Sequence, residues 1–227
     1  EFTNEAGGTL TIATTHTQAR YVLPPVIKRF TARYPKVKLI LRQGSPTQIS
    51  TLVTSGEADV AIATEAIDQF HELILLPCYQ WNRCIVVPPK HSLLKLKKLT
   101  LEAINQYPII TYDFAFTGRS KINQAFESRG LEPNVVLTAI DSDVIKTYVE
   151  LGLGIGILAN MAFDAKRDKN LRSIDASHLF EPSTTRIGIS RNTYLRGYIF
   201  DFIEMFAPHL NHANIQARLD NSETDAV

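Results

Sequence analysis

Short apolar runs alternate with amphipathic stretches along most of the chain, and turn residues mark each switch. Leu10-Thr11-Ile12-Ala13 is an apolar, β-prone run. It passes through Thr14-Thr15-His16-Thr17-Gln18 into Val22, Val26, Ile27 and Phe30, which recur at helical spacing. The pattern predicts a strand over 10–13 and a helix over 17–34. Pro24 and Pro25 fall inside that helix, where proline removes a hydrogen bond and crowds the preceding turn. The helix therefore begins in a distorted first turn or kinks near Leu23. A second strand, 37–41, leads through Gly44 to Ser45, a good N-cap, and Pro46, at the favoured first helical position. That helix, 46–55, stops at Gly56, and a third strand, 59–63, closes on Thr64. Strand, helix, strand is the rhythm of a parallel α/β sheet. Such sheets bind ligands beyond the carboxyl ends of their strands. Residues 14–18, 44–47 and 64–65 would share that edge.

After an apolar strand at 73–77 the rhythm restarts. Strands at 84–88, 107–111, 135–138, 154–159 and 171–174 alternate with helices at 99–104, 117–128 and 141–151. A last strand, 185–190, precedes a helix carried by Leu195, Tyr198, Ile199, Phe202, Ile203 and Phe206. Residues 211–227 have no strong apolar face and read as a frayed C-terminal tail. Residues 1–8 read as a linker or cloning remnant.

Composition narrows the function. The 227 residues are 44% hydrophobic, enough for a sizeable core, and carry a formal net charge of +1. That balance leaves no electrostatic footprint for nucleic acid. The one basic cluster, Lys95-Leu96-Lys97-Lys98, reads as a solvated loop. No apolar run reaches the roughly 18 residues that span a bilayer. Cys78 and Cys84 lack metal-ligand spacing and read as free thiols.

The stretch 13–20 is the candidate binding site. Thr14, Thr15, Thr17 and Gln18 crowd hydrogen-bonding groups onto a helix start, whose free N–H groups and dipole favour an anion. A cap needs only one of them. Catalysis has less support. Gly152-Leu153-Gly154-Ile155-Gly156 has GxGxG spacing and precedes a strand, the wrong geometry for a dinucleotide loop. Its glycines end the preceding helix and admit close packing. His16 has no evident carboxylate partner, and Asp141 and Asp143 suit a helix N-terminus. No metal site is evident.

Three signatures, in order, carry a family resemblance: Arg33-Tyr34-Pro35, Gly-Glu-Ala-Asp-Val-Ala-Ile at 56–62, and Gly-Leu-Gly-Ile-Gly-Ile at 152–157. Over about residues 9–210 the chain resembles the effector-binding domain of a LysR-type transcriptional regulator. The segments at 13–21, 43–49, 61–66, 116–120 and 143–148 look like the CysB group, which controls sulfur assimilation. The segments between them look more like its Cbl branch, which acts in sulfate starvation and sulfonate use. The resemblance implies an α/β fold of two Rossmann-like subdomains with a ligand cleft between them, as in type 2 periplasmic binding proteins. Subdomain I would be 9–79 plus 184–210 and subdomain II 80–183.

It further implies a non-enzymatic, cytoplasmic homo-oligomer, a dimer or tetramer, that reaches promoter DNA through an N-terminal helix-turn-helix. No cofactor is implied. The effector would be sulfate, adenosine 5′-phosphosulfate or acetylserine. Ligand residues implied are Thr15, Thr17, Gln18, Thr64 and Thr117, with Ser45 and Thr47 as weaker candidates. A nucleotide also needs an aromatic wall, for which Trp81, Phe114 and Phe116 are candidates. The alternative of the same fold is a periplasmic solute-binding protein for a small oxyanion.

Overall fold

The computed structural model describes residues 7–64, 67, 70–114, 119–191 and 193–224. The chain runs through β1 (Gly8–Thr14), α1 (Leu23–Arg33), β2 (Val37–Gln43), α2 (Pro46–Thr54), β3 (Val60–Ala63), β4 (Leu73–Trp81) and β5 (Arg83–Val87). It continues through α3 (Leu101–Ile104), β6 (Ile109–Tyr112), α4 (Arg119–Glu127), β7 (Val135–Ala139), α5 (Ser142–Glu150) and β8 (Ile155–Ala159). Last come β9 (Arg172–Asp175), β10 (Ser183–Ser190), α6 (Gly197–Phe206) and α7 (His212–Thr224). Two compact units result: Glu1–Tyr79 with Thr184–Val227, and Gln80–Ser183.

The first unit holds a five-stranded sheet in the order β2-β1-β3-β10-β4. β1 pairs in parallel with β2 and β3, so that Thr14 stands opposite both Gln43 and Ile62. β10 is antiparallel to β3, which makes the sheet mixed. Leu10 and Ile12 of β1 are fully buried beneath Leu23, Val26 and Phe30 of α1. Phe30 meets Phe202 of α6 edge-on, with ring centroids 5.9 Å apart.

The two prolines take the distorted-turn route. They sit in the first turn of α1, where a missing N–H removes nothing from the helix. The wider π-type turn Gln18–Val22 precedes it, and the Leu23 N–H donates to the Gln18 carbonyl.

Gly8 and the described part of the tail differ from expectation, and residues 1–6 lie outside the described residues. Gly8 opens β1, paired with Val37, instead of belonging to a linker. The tail is helical to Thr224. Ile215 is fully buried in the first unit's core, Leu219 packs beside it, and His212 stacks on Phe200 at 3.8 Å. One isoleucine and one leucine a turn apart dock the helix, but they make too narrow a stripe to stand out in the sequence.

The second unit's sheet runs β7-β6-β8-β5-β9. β6 pairs in parallel with β7 and β8, and β5 is antiparallel to β8 and β9. The glycine repeat is a packing device. Gly152 ends α5 at φ +80°, a conformation that costs glycine little. A Cβ at Gly154 would lie 2.5 Å from the Pro108 carbonyl oxygen. Gly154→Ala should therefore destabilise the fold by about 1–3 kcal/mol, the usual range for overpacking. Equilibrium denaturant unfolding checks it, and unchanged stability would contradict the close approach.

Candidate functional site

The carboxyl edge of β1, β2 and β3 gathers the polar residues that the strand ends predicted. The Gly44 N–H donates to the Thr14 carbonyl at 3.2 Å, and the Thr15 N–H donates to the Ile62 carbonyl at 3.4 Å. These bonds zip the three strand ends together one residue past the ladder. The chain then turns into its helical run, whose first bond is Ala19 N–H to the Thr15 carbonyl, 3.2 Å.

Thr15 is 8% exposed, Gln18 1% and Thr64 3%. Thr17 is half-buried. Burying hydroxyl and amide groups on a sheet edge is costly unless each finds a partner. The Gln18 partners are side chains far off in sequence. Its Oε1 accepts from the Tyr79 hydroxyl, and its Nε2 donates to Thr185 Oγ1 at 3.4 Å. Burial raises the Tyr79 phenol above its ordinary pKa and keeps it protonated as a donor. Tyr79 and Thr185 carry no local signal. Only their positions, 61 and 167 residues from Gln18, bring them into play, once β4 and β10 have joined the sheet.

Of the two weaker candidates, Ser45 has a structural duty. Ser45 forms a reciprocal capping box: its Oγ accepts from the Gln48 N–H, and Gln48 Oε1 accepts from the Ser45 N–H at 2.8 Å. Thr47 is exposed in the first turn of α2. His16 meets Gln43 Oε1 across the strand ends at 3.4 Å.

In the second unit Trp81 is buried, with the Arg83 guanidinium over its ring at 5.0 Å. Arg83 is itself fully buried and donates to the Glu181 carbonyl and to Ser183 Oγ. Phe114 is 71% exposed, and the Arg119 guanidinium lies 4.4 Å from its ring centroid. Thr117 and Phe116 lie outside the described residues.

Known proteins are similar to this chain in sequence and fold. The family profile "LysR substrate binding domain" matches residues 3–211. The HTH-type transcriptional regulator SsuR of Burkholderia cenocepacia is 56% identical over 219 residues, covering 96% of this chain and 71% of SsuR. CysB of Haemophilus influenzae is 54% identical over 216 residues, covering 95% of this chain and 67% of CysB. The cbl regulator of Escherichia coli is 44% identical over 226 residues, covering 100% and 72%. A crystal structure of the cofactor-binding domain of the Cbl transcriptional regulator matches with a TM-score of 0.93 at 44% identity, covering 96% of both chains. Identity to SsuR and CysB exceeds that to Cbl, so the likeness extends across all three regulators and is not confined to the Cbl branch.

Cys78 and Cys84 are free thiols. Burial pushes Cys84 up to about 11 and Cys78 up to about 12, so the reactive thiolate is scarce at neutral pH. At pH 8 the native protein should resist iodoacetamide, whereas the unfolded chain reacts at both positions. Mass spectrometry reads the difference, and rapid native alkylation of Cys84 would contradict its burial.

Proposed function

We propose that this chain, which belongs to the LysR substrate-binding domain family, holds a small sulfur oxyanion at the carboxyl edge of the first unit's sheet. It is the effector-sensing domain of a transcriptional regulator, and its SsuR, CysB and Cbl relatives are sulfur-related regulators. A family of regulators fits a domain that binds without catalysing. It does not favour a free solute-binding protein.

The observation that carries the reading is the burial of Thr15, Gln18 and Thr64 where three strand ends meet a helix start. Hydroxyls, an amide and first-turn N–H groups supply donors to an anion without a formal positive charge. Thr17 adds a half-buried hydroxyl. Sulfate fits this donor set best. Adenosine 5′-phosphosulfate has the same anionic head but needs an aromatic wall, and both described candidates, Trp81 and Phe114, already carry a guanidinium over one face. Acetylserine presents a planar carboxylate in place of a tetrahedral oxyanion.

In the intact regulator, an oligomer working in the cytoplasm, the effector would change how the helix-turn-helix parts sit on promoter DNA. It can do so only through a difference in its affinity for the two states.

Calorimetric titration of this chain with sodium sulfate, adenosine 5′-phosphosulfate and acetylserine ranks the three effectors. Thr15→Ala and Thr64→Ala should each weaken sulfate binding by about 1.5–3 kcal/mol, the worth of a hydrogen bond to a charged group. Wild-type affinity in both variants would refute the site.

A further inference from the structure

We infer that Tyr79 and Thr185 are positioning residues that fix the sense of the Gln18 amide, so that it meets the oxyanion as a donor and favours sulfate over hydrogen phosphate. The inference rests on the reading that Gln18 faces the effector.

An amide has a donor end and an acceptor end that a half-turn exchanges. Both ends of Gln18 are buried and both are held. A phenol is a stronger hydrogen-bond donor and a weaker acceptor than an alkyl alcohol. Tyr79 is thus matched to the amide carbonyl, and Thr185 to the amide N–H. The reversed amide would set the carbonyl against the poorer donor and the N–H against the poorer acceptor. In the observed sense Nε2 retains a second N–H that has no acceptor among the described residues. A buried donor without an acceptor is costly until something accepts from it.

The consequence is chemical selectivity. Sulfate accepts at every oxygen, whereas hydrogen phosphate keeps a P–O–H that needs an acceptor of its own. Among the buried side chains of the edge, Thr15, Gln18 and Thr64, only Gln18 carries an oxygen that accepts and never donates, and Tyr79 occupies it. Removing the phenol would free the carbonyl and let the amide turn, giving the P–O–H a partner.

Sulfate and inorganic phosphate affinities, measured at pH 8 by titration, test this. Tyr79→Phe should narrow the sulfate-to-phosphate ratio by about tenfold, the effect of one hydrogen bond. Thr185→Val should act in the same direction, and Thr185→Ser should restore the ratio. A purely structural role would weaken both anions alike, and an unchanged ratio in folded Tyr79→Phe and Thr185→Val overturns the inference. Thermal unfolding confirms that each variant is folded, and the Thr185 pair carries the test if Tyr79→Phe is not. Gln18→Ala separates the two levels. If it leaves both affinities intact, Gln18 does not face the oxyanion and the underlying reading falls. If it abolishes sulfate binding while the other variants keep the ratio, that reading stands and only the positioning role is lost.

Discussion

The parallel pairing of β1 with both β2 and β3 is the constraint from which the candidate site follows. Parallel strands in register end on the same side, so the polar residues that terminate each strand arrive at one edge without any contact having to recruit them. The bonds from Gly44 to Thr14 and from Thr15 to Ile62 extend the ladder into the turn and hold the helix start against the sheet. A slip of one residue in either pairing would swap the faces of the strand and turn Leu10 and Ile12 away from α1. The same register that buries the core therefore also assembles the edge.

Most elements were legible because their signals are local. Ser45-Pro46 opens α2, and Gly152 closes α5. What was not legible depends on partners distant in sequence. Nothing in Thr185-Arg186-Ile187-Gly188 says that the strand enters antiparallel between β3 and β4. Nothing within 211–227 announces that Ile215 finds a place in the first unit's core. The prolines were readable as a problem, and the structure supplied the π-type turn that resolves it.

The candidate site divides the same way. Thr15, Gln18 and Thr64 could be read from strand ends and helix starts, and all three are buried. Ser45 showed both a cap signature and an edge position, and its hydroxyl serves the cap. An aromatic such as Trp81 reads equally well as ligand wall or as core, and the neighbour that occupies its face, Arg83, becomes visible only in three dimensions. Tyr79 and Thr185 were invisible as partners of Gln18 because hydrogen bonds across 61 and 167 residues leave no periodicity behind.

The discontinuous build of the first unit orders its synthesis. Gln80–Ser183 is a single stretch and can complete its own sheet as soon as it leaves the ribosome. The earlier strands β3 and β4 share no neighbour until residues 183–190 emerge and slot between them. Until then the β10-facing edge of β3 stays open, for the whole time that the intervening hundred or so residues are made. Of the two units, the one begun first is thus the one finished last, and its exposed edge is where a ribosome-bound chaperone would find it.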